Sequence, residues 1–300
     1  MQKKIDSLLM DIDALTEHLI KVKAKVQELK SYIPVESPKN DVVKSDFETL
    51  RSLLESNAWP YAADPAQICD INNEQEKLDR AEGILEVSSL PLNEVKFLDF
   101  GCGEGYTIQK ARESGASLSI GYDIIKSNSL TWEEEKDNQL LTTNFDLLKT
   151  YGPFDSILLY DVLDHVEDHM DVLNKIKILS HENTKYFFRL HPWCGRFASH
   201  LYTKLNKGYI HLVFTEEELQ KLGLTLEYTK KVLFPIATYN TWFKESFSFL
   251  KNNVDKEPVD GFYSKHPLVK KRILENWKNN NIEGQWPEFQ LSMMYLNYFN

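Results

Sequence analysis

Residues 95–106 (VKFLDFGCGEGY) constrain the fold more than any other stretch of the chain. An apolar, strand-like run ends at Asp99 and Phe100, a loop with three glycines follows, and helix-compatible residues begin at Tyr106. Glycine has no Cβ, so the backbone at such a loop can turn sharply and approach a ligand closely. The stretch therefore predicts a strand, a ligand-binding loop and a helix in succession. A tight turn without a ligand is the alternative.

Strand-like and helix-like runs alternate from residue 95 to residue 191. This alternation predicts βαβ units, and hence an α/β fold with a parallel sheet covered by helices on both faces. Farther along, we expect a helix opened by Thr215, a strand near 224–234 and a last strand near 289–298. The other predicted strands are 95–100, 117–123, 139–145, 154–160 and 184–191, and the helices between them are 106–114, 126–137 and 166–180. Two earlier helices are predicted at 45–57 and 73–87.

The residues around the loop favour one nucleoside cofactor over another. A second predicted strand ends at Asp123, where a carboxylate can accept hydrogen bonds from both hydroxyls of a ribose. The dinucleotide fingerprint needs a small residue where this chain has Tyr106. Asp99 would repel a pyrophosphate but would attract the ammonium group of a methionine moiety. These features favour S-adenosylmethionine over NAD.

The chain resembles the class I, Rossmann-like S-adenosylmethionine-dependent methyltransferases over about residues 90–235. Residues 99–105 are similar to the family's first glycine-rich motif, and residues 154–166 (FDSILLYDVLDHV) are similar to its fourth-strand motif. The resemblance implies S-adenosylmethionine as cofactor, S-adenosylhomocysteine as product, and a seven-stranded sheet of order 3-2-1-4-5-7-6 whose last strand is antiparallel. It also implies the cofactor-binding residues Asp99, Gly101, Cys102, Gly103, Gly105, Asp123, Ile124, Asn144, Phe145, Asp146, Tyr160 and Asp161.

The first 33 residues repeat apolar side chains at alternating steps of three and four, from Ile5 to Ile33. A seam kept over more than four heptads predicts a coiled coil, and with it a homo-oligomer formed through residues 5–33. A single amphipathic helix packed on its own domain is the alternative. The number of helices and their orientation stay open, because β-branched residues at the a positions favour a parallel dimer while the flanking charges do not. The predicted domains are the coiled coil (1–33), a linker and helical cap (34–92) and the methyltransferase domain (93–300).

An acceptor site is predicted after the fifth strand. Between Lys185 and Thr215 the chain has five basic residues and no Asp or Glu, although the whole protein has a net charge of −10. Ligands of doubly wound sheets bind at the carboxyl ends of the strands, so residues 192–214 are expected to form a lid over an anionic or sugar-like acceptor. An ordinary helical excursion is the alternative. The candidate acceptor-binding residues are Arg189, Trp193, Arg196, His200 and Tyr202.

Histidine titrates in the range that a general base requires. His191, at the end of the fifth strand, is the first candidate, and His165, just past the fourth, is the second; a structural role is the alternative for both. The predicted reaction is methyl transfer to a hydroxyl or carboxylate of a small molecule or glycan. The alternative is a methyltransferase-fold assembly protein, for example phage-associated, that attaches through its coiled coil and has weak or no catalysis.

Other functions are disfavoured by composition. The acidic net charge argues against an extended nucleic-acid surface, and no apolar run reaches the roughly 20 residues that span a bilayer. The three cysteines form no zinc or disulfide framework, and no metal-ligand spacing is recognised, so no metal is expected. With no secretory signal visible, a reducing cytoplasm is the expected location.

Overall fold

The computed structural model describes residues 45–62, 73–127, 132–196, 198, 200–225, 236–256, 262–279 and 293–300. The predicted coiled coil and the linker up to residue 44 lie outside the described residues. Backbone contacts divide the chain into two compact units, Met1–Lys44 and Ser45–Asn300. The described residues all belong to the second unit.

Seven strands and ten α-helices are present in the described residues. The strands are β1 (Lys96–Phe100), β2 (Leu118–Tyr122), β3 (Gln139–Thr142), β4 (Phe154–Tyr160), β5 (Ser180–Leu190), β6 (Lys251–Lys256) and β7 (Met293–Phe299). The helices are α1 (Asp46–Leu54), α2 (Glu74–Ser88), α3 (Tyr106–Glu113), α4 (Phe145–Tyr151), α5 (His169–Ile178), α6 (Ile210–Val213), α7 (Glu216–Lys221), α8 (Ile236–Ser246), α9 (Phe262–Lys265) and α10 (Pro267–Asn279). A short 3-10 helix occupies Leu201–Thr203.

The strands form one sheet of order β3-β2-β1-β4-β5-β7-β6. Strands β1 to β5 are parallel, and β7 runs antiparallel to both β5 and β6. The predicted α/β fold, the strand order and the antiparallel last strand are confirmed. Because the carboxyl ends of β1, β2, β4 and β5 lie at one edge of the sheet, the loops that follow them share that edge.

One predicted element, the helix at 126–137, was wrong. The described residues of 126–137 contain no helix, because Glu133 and Asp137 have positive φ values of 65° and 54°, and a left-handed residue interrupts helical hydrogen bonding. The predicted strand near 224–234 lies outside the described residues except for residues 224 and 225, which are not in a strand. The sequence did not predict β6 (KNNVDK), an edge strand of the described sheet whose polar residues form no apolar run.

Hydrophobic side chains cover the sheet on both of its faces, and we call these two layers together the sheet core. Alternate residues of a strand point to opposite faces, so Leu98 and Phe100 of β1 pack on one face while Phe97 packs on the other. The first face is covered mainly by α5 and α8, and the second by α2 and α3. Each fully buried Leu or Phe contributes about 1.5–3 kcal/mol to stability, which fixes the sheet firmly beneath its loops.

Another hydrophobic cluster lies apart from the sheet, and we call it the second core. It unites Leu50 of α1, Trp59, Phe214 and Val269 of α10 with most apolar residues of the predicted lid. The Trp59 indole donates a hydrogen bond to the carbonyl of Gly208 at 2.8 Å. The described residues of 192–214 therefore form a packed segment that contacts distant parts of the chain on both sides. None of the described helices is both long enough and apolar enough to cross a membrane.

Candidate active site

The loop between β1 and α3, which we call the glycine loop, has the backbone geometry that its glycines predict. Gly101, Gly103 and Gly105 have φ values of 90°, 53° and 83°, which side chains with a Cβ rarely adopt. A Cβ at Gly101 would lie 2.2 Å from Cγ2 of Val162, whereas a Cβ at Gly103 would meet no atom within 4 Å. The first glycine is therefore required by the fold, while the second faces open space beside the cleft.

Asp123 connects the end of β2 to this loop. Its Oδ2 accepts a hydrogen bond from the backbone N–H of Gly103 at 2.9 Å, and its Oδ1 accepts one from Ile125 at 3.2 Å. A carboxylate has about four acceptor positions, so Asp123 retains capacity for a ligand. The neighbouring Ile124 is 79 % exposed, which gives an apolar surface beside the carboxylate.

A cleft of about 630 Å³ opens at the carboxyl edge of the sheet. It brings together eleven of the predicted site residues: Asp99, Gly101, Cys102, Gly103, Gly105, Tyr160, Asp161, His165, His191, His200 and Tyr202. The glycine loop, Asp99 and the three histidines all line this cleft. Residues predicted to bind cofactor and acceptor, from four chain segments, thus share one cavity.

Helix α2 supplies cleft residues that the sequence analysis missed. Lys77, Arg80, Ala81 and Ile84 line the cleft. Their spacing of three, four and seven residues from the first places them on one face of the helix. This spacing was readable in the sequence, but nothing indicated which element that face would cover. The Lys77 ammonium group pairs with Glu104 of the glycine loop at 2.7 Å, so α2 is tied directly to the loop.

Arg189 does not line the cleft but forms an ion pair beneath it. Its Nε donates to Oδ1 of Asp161 at 2.8 Å, and its Nη2 donates to Oδ2 of the same carboxylate. The guanidinium also stacks over the ring of Tyr160, 3.5 Å from the ring centre. Burial by itself would raise the pKa of Asp161, but the charges of His191 and Arg189 hold that pKa well below its usual range. The structure thus places Arg189 as a support for Asp161.

Other predicted residues also lie outside the cleft lining. Trp193 is buried in the second core, where its carbonyl forms a 2.9 Å hydrogen bond with Nε2 of His211. The stem of Arg196 packs against Gly208. Asn144 caps α4, since its Oδ1 accepts hydrogen bonds from the backbone N–H groups of Asp146 and Leu147. Phe145 and Asp146 form the first turn of that helix.

Three histidines that line the cleft lie close to one another and to the carboxylates of Asp161 and Asp164. The rings of His165 and His200 have centres 4.6 Å apart, and those of His191 and His200 lie 5.8 Å apart. His191 Nε2 lies 3.7 Å from Oδ2 of Asp161. Burial would lower the pKa of His191, but the Asp161 carboxylate raises it above its usual value. For His165, burial dominates and lowers the pKa.

Asp99 is a buried carboxyl group that lines the cleft at the start of the glycine loop. Only 4 % of the residue is exposed, and burial raises its pKa to about 7. A hydrogen bond from Thr107 opposes this shift, and the charge of Asp123 adds to it. A cationic group bound here would stabilise the ionised form, which suits the ammonium group of an amino acid.

Asn at position 99 is expected to change how stability depends on pH. In the wild type, the raised pKa means that the folded state holds a proton between about pH 4 and pH 7 that the unfolded state has lost. This contribution to stability is present below pH 4 and is lost as pH rises through 7, by about 4 kcal/mol at most. Asp99→Asn should remove that slope, as measured by urea unfolding at pH 5 to 8. The exposed control Glu55→Gln should keep it; equal slopes in wild type and Asp99→Asn would contradict the raised pKa.

Comparisons with known proteins agree with the architecture. A family model described as a methyltransferase domain matches residues 73–245, more than half of the chain. No curated protein matches the chain. Among solved structures, the plantazolicin methyltransferase BamL is 13 % identical, with 84 % of this chain and 98 % of that chain covered and a TM-score of 0.43. An S-adenosylmethionine-dependent methyltransferase from Mesorhizobium loti is 16 % identical, with 74 % and 98 % covered and a TM-score of 0.42. Similarity this low assigns no acceptor.

Proposed function

Because this chain belongs to the class I S-adenosylmethionine-dependent methyltransferases, we propose that it methylates a hydroxyl or carboxylate of a small-molecule or glycan acceptor. The methyl donor is S-adenosylmethionine and the product is S-adenosylhomocysteine. The observation that carries the proposal is the shared cleft, in which the glycine loop and Asp99 lie in one cavity with His165, His191 and His200.

The described residues fit the donor. Gly103 leaves open space beside the loop, and Asp123 keeps acceptor capacity for ribose hydroxyls next to it. Buried Asp99 suits the ammonium group of the methionine moiety, and exposed Ile124 suits an adenine face, with Asn144, Phe145 and Asp146 proposed to border that base. When bound, S-adenosylmethionine supplies a methyl group activated by its sulfonium for in-line displacement. The protein's task is to align an acceptor with that methyl group, which is a large part of such catalysis.

The acceptor half of the cleft supports a polar or anionic acceptor. Arg80 of α2 lines the cavity, as do His200 and Tyr202. A hydroxyl acceptor requires a base that lies in the cavity and is open to it. His165 fits this role better than His191, because its side chain is 35 % exposed while that of His191 is 10 % exposed and lies beside Asp161. We therefore place His165 first as the base and His191 second.

Calorimetric titration with S-adenosylmethionine and S-adenosylhomocysteine tests the proposal. We expect the full chain to bind both, and Asp123→Ala to weaken the affinity by about 10- to 100-fold. This variant loses charge-assisted hydrogen bonds, each of which is worth about 1.5–3 kcal/mol.

Asp123→Asn is the matched control, because its amide oxygen can still accept from Gly103, and it should lose less affinity than Asp123→Ala. Wild-type affinity in Asp123→Ala would refute the ribose assignment. No binding by the wild type at millimolar ligand would refute the enzyme proposal and favour the assembly protein, whose support is the heptad repeat of residues 5–33.

We also propose that the protein is a homo-oligomer formed through residues 5–33. The support is the unbroken apolar seam of that segment. The chain lacking residues 1–33 should show a lower mass per particle than the full chain in light scattering. An unchanged mass would contradict oligomerisation there. A reducing location such as the cytoplasm is proposed because the described cysteines, Cys102 and Cys194, are free thiols.

A further inference from the structure

The side chains of Asp164, His191 and His200 form a cluster that methyl transfer by itself does not explain. They come from three segments: the loop after β4, the end of β5 and the turn before the 3-10 helix. One ligand atom from each residue can be chosen so that all three atoms lie within 4.8 Å of one another. His200 has a positive φ of 52°, a conformation that non-glycine residues adopt uncommonly. The backbone thus holds this imidazole at the cluster at some conformational cost.

The Asp164 carboxylate is the second observation. Asp164 has 0 % exposure, and among the described residues neither of its oxygens accepts a hydrogen bond. Its nearest nitrogen partners are Nε2 of His200 at 3.5 Å and Nε2 of His165 at 3.7 Å, both to Oδ2. A buried carboxylate without donors is costly, since its lost hydration is not replaced. A cation held between this carboxylate and the imidazoles would satisfy it.

The distances in this cluster differ from those of an ordinary histidine–carboxylate pair. In the His181–Asp155 pair, Nε2 and Oδ1 are 3.1 Å apart, which is a hydrogen bond. The 3.5 Å between His200 and Asp164 exceeds a normal hydrogen bond but matches two ligands of one ion. With metal–ligand bonds of about 2.0–2.1 Å in a tetrahedral arrangement, two donor atoms lie roughly 3.4 Å apart.

We propose that Asp164, His191 and His200 bind a divalent transition-metal ion. Two imidazoles and one carboxylate are ligands for ions such as Zn²⁺, Mn²⁺ and Fe²⁺, and three protein ligands leave coordination positions open. His191 and His200 also line the cleft, so the ion lies at the cleft wall. The sequence alone predicts no metal, because these residues are far apart in the chain and have no recognisable ligand spacing.

Such an ion has a use in the proposed reaction. A metal at the cleft wall would polarise a bound oxygen and lower the pKa of a hydroxyl, so an acceptor hydroxyl would lose its proton to the His165 imidazole more readily. This part rests on the proposed function. The site itself does not rest on methyl transfer, and His165 remains outside the three ligands.

Metal binding by the full chain without an affinity tag tests the site in the absence of cofactor. After treatment with a chelator, the protein is dialysed against Zn²⁺ or Mn²⁺ and the bound metal is counted; Co²⁺ is added in parallel as a spectroscopic probe. We expect one ion per chain for the wild type. Asp164→Asn and His200→Ala should weaken binding at least ~10-fold, because even the loss of a residue that only orients a ligand costs that much.

His181→Ala is the matched control, since it removes a histidine paired with a carboxylate outside the cleft, and it should bind metal as the wild type does. Far-ultraviolet circular dichroism checks that each variant is folded, and Asp164→Asn keeps the shape of the side chain. No metal bound by the wild type, wild-type affinity in both ligand variants, or an equal loss in His181→Ala would each overturn the proposal. Because donor binding is titrated separately in the presence of chelator, failure of the metal site is distinguishable from failure of the methyltransferase proposal.

Discussion

Gly101→Ala is expected to abolish donor binding and to lower the free energy of unfolding by about 3 kcal/mol. Two independent costs produce this effect. The φ of 90° is unfavourable for any residue with a Cβ, and the new methyl group would lie 2.2 Å from Cγ2 of Val162. Moving the Val162 side chain would relieve the clash but not the unfavourable φ. The loop must therefore shift, and the Gly103 N–H would leave Asp123. Urea unfolding and calorimetric titration measure the two losses.

A control variant and a double variant test this account of Gly101. A Cβ at Gly83 in α2 would meet no atom within 4 Å, so the control Gly83→Ala should stabilise the protein by about 0.5–1 kcal/mol. Adding Val162→Ala to Gly101→Ala removes the clash but not the backbone cost, so only part of the lost stability should return. A stable Gly101→Ala protein with wild-type donor affinity would show that the loop conformation is not required.

His165→Ala is expected to reduce turnover by about 10²- to 10⁴-fold while donor affinity is retained. The side chain is 35 % exposed, and the residue lines the cleft. Burial lowers the pKa of His165, so the imidazole is neutral at neutral pH and can accept a proton. Formation of S-adenosylhomocysteine with a panel of sugars and hydroxy acids measures turnover, and calorimetry measures donor affinity.

The control for His165→Ala is His181→Ala, which lies outside the cleft and should leave turnover unchanged. His165→Gln keeps the size and polarity of the side chain without its basicity, so it should lose nearly as much activity as alanine. Wild-type turnover in both His165 variants would move the role of base to His191 or show that the acceptor needs none.

The sheet and the glycine loop were predictable because their signals are local. The strand ending at Asp99 and its three glycines are contiguous, and Asp123 ends the next strand of the same βαβ unit. The predicted helix at 126–137 failed for the opposite reason, because left-handed residues such as Glu133 are fixed by the surrounding fold and not by helix propensity. β6 was missed because a one-sided edge strand needs little apolar surface.

The residues predicted to bind an acceptor were harder to place, because tertiary packing decides which side chains reach the cavity. Arg189 was singled out for its charge, but Asp161 and Tyr160 engage it. Trp193 was singled out for its ring, but the second core buries it. Asp164 was not singled out at all, although it lies in the fourth-strand segment. Its significance depends on His200, which is brought to it by a turn that leaves no signal in the sequence.

The second core also orders the assembly of the protein during synthesis. Strands β1 to β5 and the glycine loop have all been synthesised once residue 190 has left the ribosome, although β7 and β6 have yet to join the sheet. The packed segment at residues 192–214 needs Phe262, Val269 and Ile273 of α9 and α10, which emerge much later. A nascent chain can therefore form the loop between β1 and α3 before residues 192–214 are packed, and Trp59 lacks its ring contact with Phe262 until that residue has emerged.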